Sequence, residues 1–304
     1  MAALRAKLPV TVAGDADYYL TALSVGSKAF GPNINGAPAY VSSTPRYGVI
    51  DEVIDSDVSD TLSVIVKTPE GMRYGAEIDR QEHANRNHLI MAAFRSGLPV
   101  TLCGNEEHYI TGVAVGALLA DAAPSLILFG AKLTGMHTGL LARIIDSDTL
   151  DDIRYVLRAS DGTHYCAQMN TTKHASRHQM LMTAIAMNLP VTIAADADSR
   201  ITGVAVGLPH AGSPTFHCQA TRFVSTETGS VARMMDSDAL GPDTRYVLAT
   251  RDGNEWCVPA SGRNQPGRDE LLRIALTSAL QVTVNGGEAG DTRQKAGSLV
   301  VQHS

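Results

Sequence analysis

Leu98-Pro99-Val100-Thr101-Leu102 and Leu189-Pro190-Val191-Thr192-Ile193 are one five-residue phrase written twice, and its reading decides the fold. Outer copies stand at Leu8-Pro9-Val10-Thr11-Val12 and Leu280-Gln281-Val282-Thr283-Val284, so the phrase advances in steps of 90, 91 and 91 residues. A second marker keeps the same step: Asp55-Ser56-Asp57, Asp146-Ser147-Asp148 and Asp236-Ser237-Asp238, each after a short apolar run. Two independent markers held in phase along a 304-residue chain identify tandem duplication. The expectation is three modules of about ninety residues, where length alone suggests two domains.

Outward from the phrase, the middle copy sets the order of elements. Gly139 to Ile145 is aliphatic and β-branched and runs into the turn formers Asp146-Ser147-Asp148, the pattern of a strand and its exit. Ile153 to Arg158 alternates apolar and polar, Asp161-Gly162 predicts a tight type I′ hairpin, and His164 to Met169 is the return strand. Asn170-Thr171-Thr172 then signals a helix start, and Ser176 to Asn188 carries Met180, Leu181, Ala184, Ile185 and Met187 at helical spacing, which reads as core packing. Val191 to Ala194 and Ile201 to Val206 close the module as two more strands. The predicted fold is therefore mainly β with one helix per repeat: three tandem OB-fold-like five-stranded barrels in the order β-β-β-α-β-β.

The phase leaves one strand pair over. Residues 1–27 form a surplus N-terminal hairpin, followed by modules at 46–117, 137–207 and 227–304. The connections 28–45, 118–136 and 208–226 have room for edge strands at Ala39-Tyr40-Val41, Leu126 to Phe129 and Phe216 to Ala220. A lone hairpin is marginal in water, so the surplus pair must pack on a module of this chain or of a neighbour.

With 44% apolar residues, 18% charged and a net charge of −6, the composition is that of an ordinary soluble globular chain. An acidic balance and a pI near 5.9 argue against nucleic acid as a partner, so single-stranded nucleic acid binding ranks last among the functions considered. Met1 to Lys7 lacks the apolar run of a signal peptide and no stretch is long enough for a membrane span. A cytoplasmic setting is expected, with export by a route needing no signal peptide as the alternative. The four cysteines do not recur in every copy and lack CxxC spacing, so reduced thiols are expected and neither a metal nor a cofactor is.

Arg143 to Val206 resembles the receptor-binding B subunits of the bacterial AB5 toxins, above all the Shiga toxin type. The shared pattern is an apolar strand into Asp146-Ser147-Asp148-Thr149, an Asp-Gly hairpin, and a helix leading straight into Leu189-Pro190-Val191-Thr192-Ile193. The resemblance implies a single-helix OB-fold variant that forms rings by edge-strand pairing. It also implies glycan recognition at Asp146 and Asp148, and by repeat at Asp55, Asp57, Asp236 and Asp238.

As residues, Asp and Ser in these turns need no function beyond turn formation. Trp256 falls on the third strand, where Tyr165 and Tyr74 stand in the other copies, and either stacks on a ligand or packs. His83 and His174 match at the helix start without partners at catalytic spacing, and no HExxH, phosphate loop or nucleophile elbow occurs. No catalytic residue is expected. The expected function is a non-enzymatic, self-assembling structural or scaffold protein, a homo-oligomer forming a ring, layer or filament through edge-strand and hairpin contacts; the alternative is a glycan-binding protein using the acidic turns.

Overall fold

The structure, a computed structural model, describes residues 8–15, 19–26, 39–56, 60–79, 81–118, 124–127, 130–207, 216, 226–240, 243–260, 266–285 and 298–302. The fold is mainly β, with three helices among the described residues. A hairpin, β1 (Val10–Gly14) and β2 (Leu20–Gly26), precedes a short β3 (Ala39–Tyr40). The first module is β4 (Arg46–Ser56), β5 (Thr61–Lys67), β6 (Arg73–Asp79), α1 (Ala84–Ser96), β7 (Pro99–Gly104) and β8 (Ile110–Val115). After β9 (Ala131–Lys132) come β10 (Gly135–Ser147), β11 (Ile153–Ala159), β12 (His164–Met169), α2 (Ala175–Met187), β13 (Pro190–Ala195) and β14 (Ile201–Val206). The third module is β15 (Thr226–Ser237), β16 (Thr244–Thr250), β17 (Glu255–Ala260), α3 (Pro266–Ser278), β18 (Gln281–Asn285) and β19 (Ser298–Gln302).

The recurrent phrase marks a helix stop. Gly97 and Asn188 take the left-handed conformation at φ 63° and 51°, and the next residue returns a backbone bond to the helix, Leu98 to Ala93 and Leu189 to Ala184. This 6→1 closure is how a helix satisfies its last carbonyls, and the proline after each leucine bars any further turn. Val-Thr-Val or its equivalent then enters the sheet.

The chain divides into two compact units, Met1–Gly130 with Ala142–Val156, and Ala131–Leu141 with Leu157–Ser304. In the first unit β4 pairs antiparallel with β5 and β7, β5 with β6, and β7 with β8. In the second, β15 pairs likewise with β16 and β18, β16 with β17, and β18 with β19, while Gly135–Leu140 of β10 pairs with β13 and β13 with β14. The third and fifth strands of a module meet only in single parallel bridges, Glu77 with Tyr109 and Gln168 with Arg200. These contacts are bridges and not ladders, so the sheet is not closed. Of the expected edge strands, the first is β3, which pairs parallel with β6; the second is displaced, since Leu126 and Ile127 are not in a strand and β9 at Ala131–Lys132 pairs parallel with β12 instead, while 128–129 and 217–220 lie outside the described residues.

One rule links consecutive copies: the last strand of one pairs with the second half of the first strand of the next. β8 meets β10 with Gly112 opposite Ser147, and β14 meets β15 with Gly203 opposite Ser237. The surplus hairpin obeys the same rule inside its own chain, β2 meeting β4 with Ala22 opposite Ser56. At each junction β4 and β15 carry a bulge, and the carbonyl of Asp51, Ala142 or Ala232 points at Gly26, Gly116 or Gly207. A Cβ at those glycines would lie 2.1–2.3 Å from that oxygen, so no other residue fits.

The core lies between helix and sheet in each module. Leu89, Ile90, Val100, Leu102 and Ile110 are buried in the first, and Met180, Leu181, Ile185, Val191 and Ile193 in the second. Each fully buried aliphatic side chain contributes about 1.5–3 kcal/mol relative to exposure.

Two expectations are corrected. The hairpins after the second strands are three-residue loops, not type I′ turns: Ala159 donates to Thr163 and Gly162 to Ala159, and Gly162 takes φ +85° while Asp161 does not take a positive φ. Only the glycine adopts the left-handed region, which gives a type I turn closed by a glycine bulge, repeated at Gly71 and Gly253. Cys103 is a free thiol, but Cys257 is disulfide-bonded, so the expectation of reduced thiols throughout does not hold.

Candidate functional site

The acidic turns are built from their serines. Ser147 Oγ accepts from the backbone N–H of Thr149 at 3.3 Å and Ser237 Oγ from that of Ala239 at 3.1 Å. Leu150 and Leu240 close the turns through their N–H groups onto the carbonyls of Ser147 and Ser237. Backbone N–H groups of Asp148 and Asp238 donate to Thr111 and Thr202 on the preceding module's last strand, at 2.9 and 3.0 Å. The aspartate side chains are thereby left to point elsewhere.

They point at an arginine. On α1, Arg86 places Nη2 at 2.7 Å from Asp148 Oδ1 and 3.5 Å from Asp146 Oδ1, while its Nη1 donates to the carbonyl of Ile110 at 2.8 Å. On α2, Arg177 donates from Nε to Asp236 at 2.9 Å, from Nη2 to Asp238 at 2.6 Å, and from Nη1 to the Ile201 carbonyl at 3.3 Å. Each guanidinium is buried and ties together three elements: its own helix, the last strand of its module and the acidic turn of the next. A planar fork with five donors suits this task, and the helix start delivers it because the third residue of each helix faces the last strand.

Arg86, Arg177 and Arg268 stand 91 residues apart, each third in its helix. They form a third periodic marker, overlooked in the sequence because an arginine near a helix start reads as an ordinary solvated charge. Arg268 is half-buried on α3, and no fourth Asp-Ser-Asp follows it within the 304 residues.

The seven residues read from the sequence as ligand contacts therefore separate. Asp146 and Asp236 are largely enclosed against their arginines, while Asp148 and Asp238 remain 46% and 60% exposed. Asp55 is half-buried at the end of β4, and Asp57 lies outside the described residues. Trp256 is half-buried on β17, opposite Leu248 of β16 and distant in sequence from every acidic turn.

Three residues before each acidic turn stands a buried charge that changes sign along the chain: Glu52, Arg143 and Arg233, each 1% exposed. Glu52 accepts from Ser24 Oγ of the hairpin and from Arg73 Nη2 at 3.0 Å, and Arg73 also reaches Asp51 at 2.9 Å. Arg143 donates to Thr101 Oγ1 at 2.7 Å and to the Ser125 carbonyl at 2.9 Å. Arg233 lies 4.0 Å from Glu255, which holds the position of Arg73 in the third copy, so the pair is kept with its polarity reversed. Burial pulls both arginines below the usual guanidinium range, and at Arg143 burial likewise pushes the neighbouring Cys103 thiol up while the arginine's charge opposes it. These are structural charges at module junctions.

A further buried cluster occurs in the third module, where the Tyr246 hydroxyl donates to Asp269 Oδ1 at 2.7 Å and Arg273 closes onto the same carboxylate. Burial first, and the Asp269 charge second, raise the Tyr246 phenol above its ordinary range. His83 and His174 precede their helices without a side-chain capping bond. Among the described residues no group of three or more His, Cys, Asp or Glu side chains is placed to hold a metal ion, and no helix is long and apolar enough to cross a membrane. No protein-family model matches the chain, and no curated protein matches it in sequence.

Proposed function

We propose that this chain is a non-enzymatic structural protein, a row of three OB-fold-like modules that self-assembles through its N-terminal hairpin and edge strands. The pairing of first with fourth, fourth with fifth, and the parallel bridges of third with fifth strands supports the OB-like reading. The observation that carries self-assembly is the hairpin's surface. Val10, Val12 and Leu20 are 49%, 63% and 56% exposed, whereas the same positions in the other copies, Val100, Leu102, Ile110, Val191, Ile193 and Ile201, are at most 4% exposed. A surface with the chemistry of a module core, left open to water, marks an association site.

Light scattering on a sizing column with negative-stain images of the same fractions tests the reading over a concentration series. Rings, layers, filaments or discrete oligomers are expected, and a lone 32.2 kDa particle at every concentration sinks it. Glycan binding is the second reading, favoured by the solvent-facing carboxylates of Asp148 and Asp238. Retention of a sugar by wild type and its loss in Asp148→Asn/Asp238→Asn would bring that reading forward.

A further inference from the structure

We infer that Arg143, Thr101 and Ser125 form a binding site for one compact, singly charged anion of the halide class. The inference stands apart from self-assembly, and all three residues lie in the first compact unit.

The site is built on one sheet face. β4, β7, β8 and β10 lie side by side, with Tyr47 opposite Thr101, Thr101 opposite Ala114 and Ala114 opposite Ile145. Arg143 comes two residues before Ile145 and Cys103 two after Thr101, so strand alternation puts both on that face. Arg143 Nη2 donates to Thr101 Oγ1 at 2.7 Å and to the Ser125 carbonyl at 2.9 Å. Ser125 and Leu126 come from the connection between modules and cover the face: a Cβ on Gly112, opposite Cys103, would meet Leu126 Cδ1 at 2.2 Å. Beneath this cover Arg143 is 1% exposed and Thr101 is fully buried.

What the enclosure lacks is a negative charge. A guanidinium keeps its proton in a protein, and burying it is unfavourable unless a counter-charge lies beside it. The equivalent charges have one, Arg73 for Glu52 and Glu255 for Arg233. In the middle copy the sequence position of Arg73 and Glu255 holds His164, which brings no negative charge. No ion pair joins Arg143 to a carboxylate among the described residues, and the titratable groups that act on it are the Tyr47 phenol and the Cys103 thiol. Neither a phenol nor a thiol pushed up by burial supplies a negative charge near neutral pH. Burial lowers the proton affinity of Arg143, the reverse of what an adjacent carboxylate does.

Unused donors complete the site. Arg143 Nε is buried with no acceptor, and Ser125 Oγ is buried with no partner. Thr101 Oγ1 accepts from the guanidinium, which leaves its own hydrogen to donate. A fixed positive charge with N–H and O–H donors and no carboxylate is the chemistry that holds an anion. Leu126 and Ala114 add carbon walls, between which a dianion would leave a net buried charge of its own, so the ligand is monovalent and small. The third module lacks this arrangement: Thr138 and Ala194 stand where Tyr47 and Cys103 do, and Arg233 already faces Glu255.

The test titrates chloride against gluconate at constant sodium and ionic strength, using the full chain. Wild type should melt at rising temperature in chloride, by about 3 °C for each tenfold increase once the site fills. Arg143→Met should melt at one temperature throughout, while Arg233→Met keeps the chloride response. Chlorine NMR reads binding directly: wild type should broaden the chloride line beyond Arg143→Met at equal protein, and bromide should reverse the excess. If Arg143→Met does not fold, Ser125→Ala, which keeps the cation and loses one donor, should raise the chloride midpoint about tenfold. A wild type that melts alike in both salts and gives no excess broadening overturns the site. So does a response that Arg143→Met retains in full, or a midpoint unchanged in Ser125→Ala.

Discussion

Replacing Arg177 by methionine should separate the part of the acidic turn that supports the fold from the part that only faces water. The guanidinium is 4% exposed and Asp236 11%, so the variant leaves a buried carboxylate without its cation, a loss of about 3–5 kcal/mol. The arm to Asp238 adds little, since that carboxylate is 60% exposed and such pairs are worth at most about 1 kcal/mol. The Ile201 carbonyl, at 3.3 Å, loses a weak bond of about 0.5–1 kcal/mol. Urea denaturation followed by circular dichroism would read a total near 4 kcal/mol as a midpoint lowered by about 2 M, for a slope of about 2 kcal/mol/M. Asp236→Asn should couple to Arg177→Met by at least about 2 kcal/mol in a double-mutant cycle, and Asp238→Asn by less than about 1. A loss below about 1 kcal/mol in the single arginine variant, or stronger coupling to Asp238 than to Asp236, would refute the assignment of the clamp to the buried arm.

Three further outcomes follow from the same geometry. Gly207→Ala, with φ +98° and a Cβ 2.3 Å from the Ala232 carbonyl, should cost well over 2 kcal/mol, whereas Gly162→Ala, with φ +85° and no neighbour within 4 Å, should cost only the conformational penalty of about 1–2 kcal/mol; equal melting shifts would count against the junction argument. Glu52→Arg alone should loosen the hairpin and open it to proteolysis, while Asp51→Ala/Glu52→Arg/Arg73→Glu, which copies the residues of the third module, should restore much of the protection; failure of the triple variant to improve on the single one argues against a charge-coded junction. Because the folded Tyr246 phenol titrates above its unfolded value of about 10, its stabilisation is complete below that pH and is lost above it, at up to about 1.4 kcal/mol per pH unit. Urea midpoints between pH 9 and 12 should fall accordingly in wild type and fall less in Tyr246→Phe, and parallel curves would contradict the assignment.

Local physics made much of this molecule legible before any fold was known. Leu-Pro-Val-Thr could be read as a helix stop entering a strand because left-handed closure, proline and β-branched residues act over a few neighbours. The 13-residue α2 was legible from the spacing of Met180, Leu181, Ala184 and Ile185, which the structure buries, although Met187, read into the same stripe, is 47% exposed. The acidic turns were legible as turns, although the reading credited the aspartates with a local role that falls to Ser147 and Ser237.

What the aspartates do was not legible, because their partner arginines sit about sixty residues upstream on another element, and only the pairing of β8 with β10 and of β14 with β15 brings them within reach. The sign reversal from Glu52 to Arg143 and Arg233 was hidden for the same reason, since an alternating strand pattern does not reveal which charge is enclosed. By itself, the sequence determined the repeat, the element order and a surplus hairpin, all products of short-range preference and counting. Only the tertiary structure decided that the hairpin pairs with β4 of its own chain and that the acidic turns close on helix-borne arginines. Those outcomes depend on which distant groups share one low-dielectric space, and chain order alone does not carry that information.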